Sequence, residues 1–290
     1  MPSVTSRTYC TVYNMTNDQT TPTGQTPVSG VTANGVPFFA VPPTGDRATA
    51  PIVVAWHLMD PPRTEVAFAS ALPLNGLDAW KLYLGLPEFG TRTPPGGPEA
   101  FFGKLAEDAP GLVHGPVHSQ AADEFPAAFA DLRGQLGLGA DVAVALVGGS
   151  MGAAVASEVL TRGTSEATTA VLISPLFDLR SMIDAVAPAF GGYDWTDVGA
   201  SAAERLDYVT RAGELVDRGA SIRIIVGADD LPEMLTAAKD VAAATEADLQ
   251  VLDSMAHALA EEPGLVAQPQ TDVARRVDLL AVEWLRARLV

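Results

Sequence analysis

Apolar residues along this chain fall into short, near-continuous runs separated by stretches with helical spacing. β-branched and aliphatic side chains dominate "VPFFAV" (36–41), "PIVVAWH" (51–57), "WKLYLGL" (80–86) and "DVAVALVGG" (141–149). The same holds for "TAVLISP" (169–175), "SIRIIVGA" (221–228) and "DLQVLDS" (248–254). An earlier run, "TYCTVYN" (8–14), reads as a first strand, joined to the next by a polar loop rich in Thr, Gly and Pro. Strands apolar on both sides are what a parallel sheet covered on both faces requires.

Helical patterns alternate with these runs: "TEVAFASALPL" (64–74), "AADEFPAAFADLRGQLG" (121–137), "MGAAVASEVLTRG" (151–163), "LPEMLTAAKDVAAATE" (231–246) and "TDVARRVDLLAVEWLRARL" (271–289). In the last, Val273, Val277, Leu280, Trp284 and Leu285 share one face, with arginines on the other. Strand–helix alternation predicts a doubly wound, mostly parallel α/β sheet of about eight strands. With no internal repeat and no linker, residues 1–290 read as one domain. Two connections exceed ordinary loops: 87–115, Pro/Gly-rich and loop-like, and 176–220. Insertions of that length suit lids or caps over a site.

Charge narrows the function classes. A net charge of −17 excludes the basic footprint that nucleic acid needs and disfavours anionic membranes and substrates. No run approaches the ~18 consecutive apolar residues of a membrane span. Cys10 is the single cysteine, so no intramolecular disulfide is available. The first residues lack a basic start and an apolar core, so no secretory signal is expected and the cytoplasm is the expected location.

The candidate chemistry centres on "GGSMG". Gly148-Gly149-Ser150-Met151-Gly152 fits G-x-S-x-G, a weak match alone but one that ends an apolar strand and opens a helix. A sharp turn there holds a serine in strained backbone geometry that flanking glycines permit. The competing role for Ser150 is a helix N-cap. A serine nucleophile needs a base. Of four histidines, His257 lies just past the last strand, at the carboxyl edge where such sheets place ligands. His57 ends a strand at a position better suited to an oxyanion loop or a substrate pocket. His114 and His118 have the spacing of a metal pair, but Gly115 and Pro116 argue against the helix that would align them, so no metal site is expected. An orienting carboxylate comes from Asp229 or Asp230 in "VGADD", or less directly from Asp178. The order serine, acid, histidine is that of α/β-hydrolases.

On "AWH", "GGSMGA", "VGADD" and "MAHALAEEPG", in that order, the chain from Pro51 onward resembles α/β-hydrolases of the dienelactone hydrolase and prolyl oligopeptidase-like group, in a single-domain serine-esterase form. The resemblance implies Asp230 as the acid, three residues after Gly227, with Asp229 as the alternative. It also implies an oxyanion hole from the backbone N–H of Met151 and that of Met59, or alternatively Leu58. The His-Gly-x start common in that loop is absent, since the chain reads His57-Leu58-Met59.

Trp80, Tyr83 and Phe89 read as packing residues, whereas Phe101, Phe102, Tyr193 and Trp195 in the insertions, with His57, are candidates for a substrate pocket. The expected activity is cofactor-independent hydrolysis of a small-molecule carboxylic ester through an acyl-enzyme. Acyl transfer, thioester or amide hydrolysis share the same groups, and a catalytically silent binding module is the rival from another class.

Overall fold

The computed structural model describes residues 26–289. Eight strands form one sheet: β1 (Val28–Val31), β2 (Pro37–Val41), β3 (Ile52–Trp56), β4 (Trp80–Leu84), β5 (Val144–Gly149), β6 (Ala167–Ile173), β7 (Ser221–Gly227) and β8 (Asp248–Leu252). Their spatial order is β1-β2-β4-β3-β5-β6-β7-β8. The β1–β2 and β2–β4 pairs are antiparallel and every later pair is parallel.

β1 lies in the segment expected to be a polar loop. Its four residues are mostly exposed, so no apolar run marks it. The hairpin is set by its turn, where Thr32 Oγ1 accepts from the N–H of Val36 at 2.9 Å and Gly35 takes a φ of 89°. The strand expected over 8–14 lies outside the described residues.

β3 and β5 occupy the centre and are buried along their whole length. Alternate residues point to opposite faces, as strand geometry demands. Ile52, Val54 and Trp56 join the core under helices α3 (Gly115–Leu136), α4 (Met151–Arg162) and α8 (Pro232–Thr245), while Val53 and Ala55 join the core under α1 (Glu65–Ala71) and α9 (Asp272–Arg286).

The insertion at 87–115 is not loop-like. A turn of 3-10 helix at Gly90–Arg92 precedes α2 (Gly97–Asp108), and one π-helical turn, Ala109–His114, runs straight into α3. Gly115 and Pro116 therefore do not forbid a helix. Pro116 stands in the first turn of α3, where its missing N–H falls at the join with the π turn, whose closing bond runs from the N–H of Gly115 to the carbonyl of Pro110. The second insertion folds as α5 (Leu179–Val186), a 3-10 turn at Ala187–Phe190, α6 (Asp197–Arg205) and α7 (Ala212–Val216).

The two insertions are tied together. The buried carboxylate of Asp108 accepts from Tyr193 Oη at 2.6 Å, Thr196 Oγ1 at 2.7 Å and the N–H of Gly111 at 2.8 Å. Such charge-assisted bonds are the stronger kind, and they hold α2 and α6 over the carboxyl ends of the central strands. No helix among the described residues is long and apolar enough to cross a membrane.

Candidate active site

Ser150 sits between β5 and α4 with φ 49° and ψ −112°. A positive φ on a non-glycine residue costs on the order of 1–3 kcal/mol and persists only where the surroundings enforce it. Here the enforcement is backbone on both sides. A β-carbon on Gly148 would strike the carbonyl of Gly152, and one on Gly152 would strike the carbonyls of Trp56 and His57. The two glycines let α4 sit directly on β3 and β5, and the N–H of Ser150 is fixed on the carbonyl of Ile173 at 2.8 Å.

Ser150 stands at the N-cap position of α4, but its hydroxyl makes no capping hydrogen bond. Ser150 Oγ lies 2.8 Å from His257 Nε2 instead. On the far side of the ring, His257 Nδ1 is 3.0 Å from both carboxylate oxygens of Asp230. A carboxylate only accepts, so Nδ1 carries the proton and Nε2 is left to accept from the serine hydroxyl. The Asp230 side chain is fully buried, and its Oδ1 also accepts from the N–H of Leu231 at 2.8 Å.

The other two acid candidates are elsewhere. Asp229 is exposed; its backbone N–H binds the carbonyl of Met255 at 2.9 Å, which fastens the β7 loop to the loop bearing His257. Asp178 is the N-cap of α5, accepting from the N–H of Ser181 at 3.0 Å.

Electrostatics at His257 are a contest. Burial disfavours the imidazolium, but the hydrogen bond and charge of Asp230 outweigh it, with Asp60 adding in the same direction. The net effect raises the pKa above the ordinary histidine value. Asp60, which the sequence reading did not single out, has its Oδ2 3.8 Å from His257 Nε2. No local motif marks it; the turn after β3 carries it to the site.

Ser150 and His257 open onto a cavity of about 720 Å³, roofed by the two insertions. Its wall is mainly apolar: Leu105, Ala106 and Pro110 from the first insertion, Met182, Ile183 and Val186 from α5, and Leu231 and Met234 at the start of α8. Phe102 and Tyr193 belong to this wall, but Phe101, Trp195 and His57 do not. Phe101 packs edge-on against Phe89 at 5.2 Å. Trp195 lies under the guanidinium of Arg180, 4.0 Å from its ring centroid, and donates to Asp184. His57 is fully buried beneath the floor. Its Nε2 accepts from the N–H of Leu86 at 3.0 Å, its Nδ1 lies 2.6 Å from the carbonyl of Leu58, and burial holds its pKa down at about 4.

Met59 and Met151 line the same cavity as Ser150. Met151 is the first residue of α4, so its N–H is among the amides a helix leaves without an internal partner. Among the described residues, the N–H of Met59 donates to no protein acceptor. Leu58 is buried, with its side chain against Gly149, and its N–H likewise donates to no protein acceptor among the described residues.

His114 and His118 do share a helical path but do not form a metal pair. His114 lines the cavity with Nδ1 2.9 Å from the carbonyl of Ala109, while His118 Nε2 is held by Tyr208 Oη at 2.9 Å in the core. Among the described residues, no group of three or more His, Cys, Asp or Glu side chains is placed to hold a metal ion.

No family model matches the chain, and no curated protein matches it in sequence. Solved structures do match in fold. A serine hydrolase from Cycloclasticus zankles aligns over 91% of this chain and 99% of its own, with TM-score 0.56 and 15% identity. A dienelactone hydrolase from Anabaena variabilis aligns over 92% and 99%, with TM-score 0.52 and 18% identity. Acylaminoacyl peptidase from Pyrococcus horikoshii gives TM-score 0.59 at 12% identity, covering 91% of this chain but 42% of that longer one. The sheet order, the helices on both faces and these alignments identify the α/β-hydrolase fold.

Proposed function

We propose that this chain, built on the α/β-hydrolase fold, is a serine hydrolase that cleaves carboxylic esters through an acyl-enzyme. The observation that carries the reading is the hydroxyl of Ser150, in a strained strand-to-helix turn, 2.8 Å from an imidazole whose other nitrogen faces a buried carboxylate. Hydrolases, esterases and peptidases among the solved structures of this fold support the same class.

In this reading Ser150 Oγ attacks the ester carbonyl while His257 Nε2 takes its proton. The imidazolium is stabilised by Asp230, which keeps the ring in the tautomer that can accept. Negative charge on the tetrahedral oxygen falls to the N–H groups of Met151 and Met59, aided by the positive end of α4. One such donor is typically worth ~10²–10³ in rate. His257 then returns the proton to the leaving alcohol. Water, deprotonated by the same nitrogen, releases the acid.

The apolar cavity suits an uncharged acyl chain rather than a polar one, because a polar group there loses hydrogen bonds to water without replacement. Ser150→Ala tests the assignment. The variant should retain the melting temperature of the parent and lose hydrolysis of p-nitrophenyl butyrate by at least ~10³-fold. Activity within tenfold of the parent overturns it.

A further inference from the structure

Asp60 stands apart from the rest of the cavity. Among the described residues it is the single carboxylate in a wall that is otherwise apolar or neutral, and none of those lining residues is a lysine or arginine. Its side chain is about half exposed and makes no hydrogen bond with the described residues. The nearest arginine in sequence, Arg63, is engaged elsewhere: it donates to the carbonyl of Met59 and, through both terminal nitrogens, to Glu262. Asp60 thus meets the cavity with no lysine or arginine among the described lining residues to offset its charge, and with His257 as a titratable neighbour there.

Its position is chemically specific. Asp60 Oδ2 is 3.8 Å from His257 Nε2, the nitrogen that, on the proposed reading, hands its proton to the leaving oxygen. A leaving oxygen must come within ~3 Å of that nitrogen. The carboxylate therefore stands within about 7 Å of the scissile oxygen. That is the reach of a two- or three-carbon chain ending in a charged group.

We infer that Asp60 is a specificity-determining residue that seats a cationic group on the alcohol portion of the substrate. The class of substrate is then an ester of an apolar acid with an amino alcohol, and esters whose alcohol carries an anion are rejected. This rests on the esterase reading of Ser150 and His257. Two unit charges ~5 Å apart at a half-exposed site, with effective dielectric between ~40 and water's ~80, give about fourfold to twentyfold in binding per charge. The acidity of the chain as a whole, −17, reinforces the sign of the selection at low ionic strength.

The test compares three butyrate esters of matched size: those of 2-(trimethylammonio)ethanol, 3,3-dimethylbutanol and 4-hydroxybutanoate. In the parent, kcat/KM should fall in that order, with the ammonium and carboxylate esters at least tenfold apart. Asp60→Asn should compress that ratio to within threefold, and Asp60→Glu should keep its sign. A ratio that Asp60→Asn leaves unchanged overturns the inference. So does a common factor on all three esters, since Asp60 would then act only through His257. Should none of the esters turn over, the esterase reading fails and a second measurement still decides this one. Calorimetric titration with hexyltrimethylammonium and with hexanoate should show tighter binding of the cation in the parent and no difference in Asp60→Asn. Equal binding of both ions to the parent overturns the proposal.

Discussion

Replacing Asp230 by asparagine keeps the outline of the side chain and removes its charge at a fully buried position. Oδ1 of Asp230 is anchored by the N–H of Leu231 at 2.8 Å, so an asparagine will turn its carbonyl oxygen to that donor. Its NH₂ then takes the place of Oδ2, which lies 3.0 Å from His257 Nδ1. Two N–H donors cannot face each other at that distance. The proton on Nδ1 moves to Nε2, and the ring then donates to Ser150 where it must accept. Loss of the correct tautomer in an otherwise intact serine–histidine–aspartate site costs ~10⁴ in kcat, equivalent to about 5.4 kcal/mol at ~1.36 kcal/mol per tenfold. We expect a fall of about 10³–10⁴ here, because Nδ1 lies close to both oxygens and retains some access to the anchored one. Steady-state hydrolysis of p-nitrophenyl butyrate, with circular dichroism to check folding, reads it out. Asp229→Asn is the comparator: an exposed side chain outside the cavity should change kcat by no more than about threefold. An Asp230→Asn enzyme within tenfold of the parent, or a larger loss in Asp229→Asn, would show that Asp230 does not set the tautomer of His257.

Two further predictions concern pH. His257 must be neutral to accept a proton, and Asp230 and Asp60 raise its pKa against the opposing effect of burial. The acid limb of kcat/KM should therefore have its midpoint above the ordinary histidine value of ~6.5. Asp60→Asn should move that midpoint down; a parent midpoint below 6.5 contradicts the assignment of His257 as the base. On the opposite face of the sheet, burial pushes the Asp278 carboxyl from 3.8 up to about 6, even though it accepts from the N–H of Leu74 at 2.8 Å and lies near Lys81. A pKa raised by folding gives stability that is full below the unfolded value and lost as pH rises through the folded one. Between pH 5 and 8 this group should cost the parent about 1.4 kcal/mol of stability. Urea unfolding of Asp278→Asn against the parent should therefore show a difference that grows by that amount in favour of asparagine, and a pH-independent difference refutes it.

Much of this architecture is legible in the sequence because it is written in local patterns. The central strands are apolar on both sides, the helices between them are periodic, and Ser150, Asp230 and His257 each follow a strand at the sheet's carboxyl edge. What escaped depends on context. β1 is short, exposed and marked only by its turn. Pro98, Pro110 and Pro116 read as loop signals, yet each stands in the first turn of a helical segment, where proline is accommodated. Aromatic content alone does not identify a pocket. Phe101 and Phe102 are adjacent on α2, and successive residues on a helix face different ways; one joins the core and the other the cavity. Asp60 and His114 reach the site only through the path of the chain after β3 and the join between α2 and α3, which no spacing rule conveys. Oxyanion-hole donors are backbone groups, so the identities of Met59 and Met151 say little about them.

On the proposed mechanism Ser150 is a nucleophile made reactive by His257. Incubation with a fluorophosphonate, followed by peptide mass spectrometry, tests it without any assumption about substrate. One covalent adduct per chain, located on Ser150, should form in the parent and be suppressed in His257→Ala. A folded parent that forms no adduct, or forms it at another residue, rules out Ser150 as the nucleophile.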